Sequence, residues 1–465
     1  MIGVGGMGMT PLAVYLSRSG YDVCGYDDEL CEPVRRILDN EGVTFSKDGN
    51  LPDGYDLVVH SAAVSSSHPC MRQAIKAGLP VLSRSEMLAK QAEGRKLLAV
   101  VGSHGKTTTA AMIAHILQGQ GYPAGFIGGG LFNDDSLPPA WNSRGKWLVA
   151  EIDESDGSIE HFSPDITLLT NLDWDHPDQY TNEEDLLNAF GRLFRRTKQC
   201  ILAPFSQIEK LMDLLPGENG PKTCFFGEQG DYSGKFSNEN GRSAEIVLQG
   251  LFRKRAERIQ ARGEFNMNNA LAAMAACHSM GFREVEGGLK DYKGVQRRQS
   301  LLFDSDKLSV IADYAHHPTE ISALMTAAKK WFPNRSVTVV FQPHRYSRTA
   351  QFREAFAQEL GEADRLLILP VYGAGEKPRD DGSSEALRKL MDGKPEFLYW
   401  LPGRGRLKRL HSSLKKPSVV LFIGAGTVDK TARLFSAICR CKSNPGREWM
   451  EYLKPNVTPD SRLRL

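Results

Sequence analysis

Gly102-Ser103-His104-Gly105-Lys106-Thr107-Thr108-Thr109 follows directly on the apolar run 97–101, and a helical pattern follows it. Strand, glycine-bearing turn and helix in that order bend the chain so that backbone N–H groups and a helix N-terminus face an anion. Lys106 would reach the β- and γ-phosphates of a nucleotide, and the Thr107 hydroxyl would ligate Mg²⁺. The segment departs from the general GxxxxGK[ST] form, because Val100 stands where the first glycine would be. A chance Gly/Thr-rich turn is the alternative. It is disfavoured by a Lys-Thr pair placed directly after a glycine, between a strand and a helix. A P-loop of this kind belongs to an α/β fold that holds ATP.

Working outward, two acidic clusters close further apolar strands. Glu151-Ile152-Asp153-Glu154-Ser155-Asp156 ends the run 147–152, and Asn171-Leu172-Asp173-Trp174-Asp175-His176-Pro177-Asp178 follows the run 166–170. Carboxylates at the carboxyl ends of parallel strands lie where an α/β sheet presents its ligand rim. Mg²⁺ favours oxygen ligands, so Glu154 is expected beside Thr107, and His176 could serve a second metal site. Each cluster alone could be a solvated loop or a helix cap. The N-terminal Gly3-Val4-Gly5-Gly6-Met7-Gly8 is a GxGxxG, with Asp27 and Asp28 about twenty residues further on, so an NAD fingerprint competes with other phosphate-binding uses. Only Met1 and Ile2 precede Gly3, whereas a full strand needs about five residues, so a misassigned or truncated start is the expectation.

The rest of the chain continues the α/β alternation. Strands are expected at 21–25, 57–60 and 80–82, then, past a polar stretch at 89–96, at 97–101, 147–152 and 166–170. Residues 201–203 and the Gly/Ser-rich 227–243 suggest a peripheral sheet, and 263–280 an alanine-rich helix. Further strands are expected at 310–312, 337–341, 366–369 and 419–423. Residues 402–417 would be a surface loop or connecting helix, and 442–465 a frayed polar tail. These runs divide the chain into blocks 1–96, 97–297 and 298–465.

Composition narrows the function classes. The 465 residues exceed one ordinary core, and 58 basic against 56 acidic residues give a net charge of +2, with no field for nucleic acid. The longest apolar runs are strand-length, far short of the ~18 residues of a membrane span. No export signal is seen, and the eight cysteines, without a CxxC pair, fit reduced thiols in the cytoplasm.

Taken together, 3–9, 102–109, 151–158, 171–180, Asn266–Ala273, Asp313-Tyr314-Ala315-His316-His317-Pro318-Thr319-Glu320 and Phe341-Gln342-Pro343-His344-Arg345-Tyr346-Ser347-Arg348-Thr349 resemble the Mur ligases over essentially the whole length. The last two segments, with Glu154-Ser155-Asp156, resemble most the alanine-adding branch. The resemblance implies three α/β domains: a Rossmann-like UDP-sugar domain, a central P-loop ATPase-type domain and a C-terminal Rossmann-like domain. It implies peptidoglycan synthesis with ATP, Mg²⁺, UDP-N-acetylmuramate and L-alanine: a carboxylate attacks the γ-phosphorus, and the amino acid's amine attacks the resulting acyl phosphate.

By the same resemblance Lys106, Glu154, His176 and Arg298 are catalytic, and Thr107, Glu154 and His176 hold metal. Nucleotide would be held by Gly102, Ser103, His104, Gly105, Lys106, Thr107, Thr108, Asn266, Asn269, Asp313 and Tyr314. The UDP-sugar would lie on Gly3, Gly5, Gly6, Met7 and Gly8, and L-alanine on His316, Arg345 and Arg348. A guanidinium fork suits the amino acid's carboxylate. Two departures stand out: Phe265 occupies a position where family members often carry His, and no lysine lies between His176 and Lys198, where several Mur ligases use a carbamylated lysine. Two other readings are a murein tripeptide ligase of the same family and a nucleotide-binding module without turnover.

Overall fold

The computed structural model describes every residue except 29, 47–49, 53, 178, 238–243, 261–262, 286, 392–394, 398–403 and 444–465. The chain forms two units, Met1–Gln296 and Arg297–Leu465.

The first unit opens with α1 (Met9–Arg18), β1 (Cys24–Gly25), α2 (Glu32–Asn40), β2 (Thr44–Phe45), β3 (Val58–His60), α3 (Pro69–Lys76), β4 (Val81–Ser83) and α4 (Arg84–Ala92). β1 pairs with β2 and β3 with β4, both parallel. Ile2 bridges Tyr26 on one side and His60 on the other, again parallel, so one residue joins the two pairs. The expected strand at 21–25 shrinks to Cys24–Gly25, with Tyr21 43% exposed and so not held in a core. α4 begins on a capping box: Ser83 Oγ accepts from Glu86 N, and the Glu86 carboxylate from Ser83 N.

A ten-stranded sheet follows. Its first half is β5 (Lys96–Val101), α5 (Lys106–Gly119), β6 (Ala124–Ile127), β7 (Ala140–Trp141), β8 (Trp147–Glu151), β9 (Ile166–Leu169) and α6 (Glu183–Arg196). Its second half is β10 (Cys200–Pro204), α7 (Ile208–Leu211), β11 (Lys222–Phe226), β12 (Tyr232–Ser237), β13 (Ala244–Gly250), β14 (Arg255–Ile259) and α8 (Glu264–Ser279). The strand order is β14-β13-β12-β11-β10-β9-β5-β8-β6-β7. β5 lies between β9 and β8, parallel to both, and five of its six residues are buried. Burial on both faces explains its unbroken apolar run. α5 and α8 bury most of their residues in one shared core, as expected of helices apolar nearly all round. A second core runs from Val4, Met9 and Leu12 of the N-terminal layer to Leu97, Ala99 and Ile127 of the large sheet, and binds the two layers into one unit.

Residues 201–203 are not peripheral. β10 sits inside the large sheet between β9 and β11, β12 pairs parallel with β11, and β13 and β14 follow as antiparallel strands. β13 and β14 alternate buried with exposed residues in the manner of a one-sided sheet, and polar positions hide that pattern in a sequence. Of the Gly/Ser-rich 227–243, Tyr232–Ser237 forms β12, and residues 238–243 lie outside the described residues.

The second unit carries β15 (Ser300–Asp304), β16 (Leu308–Asp313), α9 (Pro318–Trp331), β17 (Ser336–Phe341), α10 (Tyr346–Gln351), α11 (Arg353–Leu360) and β18 (Arg365–Ile368). It continues through α12 (Ser384–Lys389), β19 (Pro395–Phe397), α13 (Arg404–Ser413), β20 (Ser418–Ile423) and α14 (Val428–Ser443). The six-stranded sheet runs β15-β16-β20-β17-β18-β19, parallel except for β15. Helix α13 occupies most of the expected loop or helix at 402–417, burying Leu407 and Leu410; 402–403 lie outside the described residues, as does the tail from 444. No helix of the described residues is long and apolar enough to cross a membrane.

Candidate active site

The P-loop leaves β5 at its carboxyl end and enters α5 at Lys106. Two glycines are obligatory. Gly102 (φ +129°) would place a Cβ 2.3 Å from Thr170 Oγ1, and Gly105 (φ +78°) would place one 2.8 Å from Asn269 Oδ1. Both φ values lie where only glycine is comfortable. The loop is splinted from the end of β9. His104 N donates to Asn171 Oδ1 (2.9 Å), Asn171 Nδ2 and Thr170 Oγ1 both donate to His104 O (2.8 and 2.6 Å), and Ser103 Oγ donates to Asp173 O (2.6 Å). Thus the second acidic cluster shapes the loop through its amide and backbone groups.

Lys106 Nζ donates to both Glu154 oxygens (2.9 and 2.7 Å) and to Gly102 O (2.6 Å). Burial alone would lower its pKa, but Glu154, Asp153 and Glu151 outweigh that and hold it above the ordinary lysine value. Thr107 and Glu154, expected to share a metal, are not bonded to each other directly. Thr107 Oγ1 instead donates to Glu151 Oε1 (2.9 Å), because residue 107 starts its helical turn facing the last residue of β8. His176, at φ 58°, brings Nε2 to 3.5 Å from Glu154 Oε1 and 3.8 Å from Asp175 Oδ2. Tyr180 donates its hydroxyl to Glu154 O (2.8 Å). Asp178 lies outside the described residues.

Glu151 is the candidate site residue that sequence reasoning passed over. Its Oε2 is buried without a hydrogen-bond partner, and desolvation raises its pKa. A carboxylate oxygen left bare beside the Thr107 hydroxyl suits a hard cation. Thr107, Glu151, Glu154 and His176 therefore fit a Mg²⁺ site, although no cluster of three or more such ligands is preassembled among the described residues. The run Gly128-Gly129-Gly130 was the missed signal. A Cβ on Gly129 would fall 2.2 Å from the Glu151 carboxyl, and one on Gly130 2.9 Å from Thr107 Cγ2.

Asn266 and Asn269 sit in the first turns of α8, with Asn269 Nδ2 donating to Asn266 Oδ1 (3.2 Å). Asn269 is 9% exposed and braces Gly105, so it touches the nucleotide loop directly. Thr108 continues α5 into the core. In the first loop Gly3 takes φ +78°, and Gly5 N donates to Asp27 Oδ2 (2.8 Å). Asp27 thus holds the loop itself. Met7 reaches the Gly130 strip, its Cε 3.7 Å from where a Cβ would stand, which brings Gly3–Gly8 to the P-loop side of the unit.

The second unit gathers the remaining residues. Both Asp313 oxygens accept backbone N–H groups, from Gln299 (2.7 Å) and Ala315 (2.7 Å), and burial pushes its pKa up to about 6. The guanidinium groups of Arg297 and Arg298 lie 4.6 and 5.0 Å from the Tyr314 ring centre. Arg298 Nη1 is 3.5 Å from Glu320 Oε1, and His316 Nδ1 donates to Tyr314 O (2.9 Å). Arg345, at φ 68°, caps α10, and Arg348 is 4% exposed, with Nη1 donating to His344 Nδ1 (3.3 Å). Burial, then the charges of His316, Arg348, Arg345 and Arg297, push the His344 pKa down to about 2. His344 stacks on Tyr372 at 5.6 Å, and Glu376 accepts from Ser347 N (3.0 Å) and Oγ (2.6 Å), fixing the turn that carries both arginines. His344, Tyr372 and Glu376 were not singled out from sequence; His344 lay inside a quoted motif, whereas the other two come from a separate loop.

Three sequence profiles cover the chain: the Mur ligase family catalytic domain over residues 1–96, the Mur ligase middle domain over 100–277, and the Mur ligase glutamate ligase domain over 297–426. A UDP-N-acetylmuramate–L-alanine ligase of Carboxydothermus hydrogenoformans is 33% identical over 441 residues, 92% of this chain and 94% of that protein. The crystal structure of a UDP-N-acetylmuramate-alanine ligase from Thermotoga maritima superposes with a TM-score of 0.75 at 27% identity, covering 95% of this chain and 98% of that one. A murein peptide ligase from Psychrobacter arcticus shares the fold, with a TM-score of 0.67 at 23% identity over 98% and 99% of the two chains.

Proposed function

The chain belongs to the Mur ligase family of ATP-dependent ligases, and from that premise we propose that it joins L-alanine to the carboxylate of UDP-N-acetylmuramate. The observation that carries this reading is a P-loop lysine ringed by carboxylates in one unit and two motif arginines held in one turn in the other. Phosphoryl transfer needs charge neutralisation and alignment more than a covalent protein group. When ATP enters, Lys106 turns from Glu154 to the β- and γ-phosphates, and the backbone N–H groups of Gly102–Thr107 cradle them. Thr107, Glu151, Glu154 and His176 would hold Mg²⁺, which would supply charge neutralisation on the phosphate oxygens. The sugar's carboxylate attacks the γ-phosphorus and ADP leaves. The L-alanine amine then attacks the acyl phosphate carbon, releasing inorganic phosphate and one proton. Arg345 and Arg348 hold the amino acid's carboxylate, and His316 stands beside it. Arg298 completes the phosphate contacts.

The cofactor pair is ATP and Mg²⁺, the reactants are small molecules, and the cytoplasm is the compartment that holds them. The test is inorganic phosphate release, read colorimetrically, with UDP-N-acetylmuramate and a panel of amino acids and peptides. Turnover with L-alanine and little with tripeptide is expected. Release with tripeptide but not L-alanine would overturn the acceptor assignment.

A further inference from the structure

Arg95 stands immediately before β5, at the amino edge of the ten-stranded sheet and a strand's length from the P-loop. Its guanidinium lies across the amino ends of β5, β6 and β8. Nη2 donates to the carbonyl oxygens of Ser143 (3.2 Å), Gly145 (3.2 Å) and Trp147 (2.7 Å). Nη1 donates to Asn142 Oδ1 (3.0 Å) and, out of the sheet, to the hydroxyl of Tyr15 on α1 (2.7 Å). Tyr15 in turn donates to Asn142 Oδ1 (3.2 Å), and Asn142 Nδ2 donates to Ser19 Oγ (3.1 Å) just past the end of α1. β6 makes way for this group: a Cβ on Gly125 would fall 2.9 Å from both Nη1 and Nη2. No step assigned to ATP, sugar or amino acid uses these bonds.

α1 runs from Gly8, on the P-loop side of the unit, to Tyr15 at the opposite edge, and β5 runs back from Arg95 to the P-loop, about 20 Å along the strand. Each of these two rods carries one substrate loop at one end, and Arg95 joins their other ends. α1 otherwise rests on the sheet through apolar side chains, among them Leu12, Ala13 and Leu16. Apolar burial is non-directional, so it holds the helix down without fixing its position along its own axis. Sliding along that axis would carry the Gly3–Gly8 loop toward or away from Lys106. We propose that Arg95 is a positioning residue: through Tyr15 it fixes the first glycine loop in register with the P-loop, and so sets the sugar's carboxylate in line with the γ-phosphorus. This rests on the reading of the first loop as the UDP-sugar site and of the chain as a ligase. Arg95 bonds to neither loop, so each keeps its own ligand and only their alignment depends on the clasp.

The experiment separates binding from alignment in the full chain, in Tyr15→Phe and in Arg95→Met. Calorimetry gives the affinities for ATP alone and for UDP-N-acetylmuramate alone. Phosphate release with L-alanine gives kcat, and rapid-quench ADP formation without L-alanine gives the rate of the acyl phosphate step. Tyr15→Phe keeps the ring in the core and removes only the hydroxyl. Both affinities are expected to hold within about twofold while kcat falls about 10-fold, since a misplacement of about 1 Å costs up to ~10²-fold. Arg95→Met should lower kcat about 10- to 100-fold with the same affinities, the loss falling on ADP formation. Adding Tyr15→Phe to Arg95→Met should cost nothing more, because the two act as one link. Arg95→Lys, which can meet the hydroxyl or the carbonyl groups but not both, should recover part of the rate. Unchanged kcat in Tyr15→Phe and Arg95→Met, whatever the melting temperature does, overturns the proposal and leaves the clasp a matter of stability. A fall in either affinity that matches the fall in kcat/KM, with kcat kept, overturns it in favour of a distorted loop. Should Arg95→Met not fold, Tyr15→Phe decides alone. An unsubstituted chain that binds both ligands yet releases no phosphate with any acceptor defeats the proposed function, and this proposal with it. Normal turnover in both variants defeats this proposal alone.

Discussion

Around the P-loop, Glu151, Asp153 and Glu154 face one buried lysine; around His344 in the second unit, Arg297, Arg345, Arg348 and His316 crowd one imidazole. The first region has an excess of carboxylate and holds a bare buried oxygen on Glu151. The second has an excess of cation, which adds to burial in keeping His344 neutral. Each imbalance is the complement of a ligand: a divalent cation with its phosphates in one, a carboxylate in the other. In the free protein the two regions meet their cost differently. The P-loop folds its own lysine back onto Glu154, whereas the arginine turn leans on a neutral ring and on backbone held by Glu376.

The largest test of that contrast is Lys106→Ala. Turnover should fall ~10²–10³-fold, the scale for one transition-state charge contact. The lysine was expected to point only at ligand; since it is bonded to Glu154, 1% exposed, its removal also strands a buried carboxylate. Breaking such a pair costs roughly 3–5 kcal/mol of stability. The double variant Lys106→Ala/Glu154→Gln should regain much of the melting temperature and none of the activity. Equal melting of the single variant and the parent would show that Glu154 is served by other partners, and near-normal turnover would remove Lys106 from the chemistry.

Arg345→Ala should act on the other region alone. The KM for L-alanine should rise about 10- to 100-fold, the scale of a hydrogen bond to a charged group, with the KM for ATP little changed. Comparable rises in both would place this arginine outside the amino-acid site and blur the division between the two regions.

What the sequence made legible follows the same division. The P-loop was readable because strand, glycines and lysine are contiguous, and β5, β8, β9, β16, β17 and β20 because burial on both faces leaves near-continuous apolar runs. Glu151 was hidden among neighbouring acids, since only the register of β8 beside β5 decides which carboxylate meets Thr107. Tyr372 and Glu376 were hidden because their partners lie about thirty residues away on another loop.

The finest test concerns Asp313, which sits beside the cation-rich turn yet is itself hard to ionise. Its folded pKa of about 6 lies above the ~3.9 of an unfolded aspartate. Between those values the native state binds more protons than the unfolded chain, so this group makes stability rise as pH falls from about 7 to 4, by on the order of 3 kcal/mol at most. Above pH 7 both states are ionised and the burial penalty is present in full. Asp313→Asn should therefore flatten that part of the stability–pH curve measured by urea unfolding. It should also lower the plateau, because an amide can accept from only one of the two N–H groups, Gln299 and Ala315, that the carboxylate now satisfies. A slope unchanged by the substitution would mean that Arg298, which acts to lower this pKa, cancels the burial. The cation-rich region would then extend to Asp313 and keep it charged throughout.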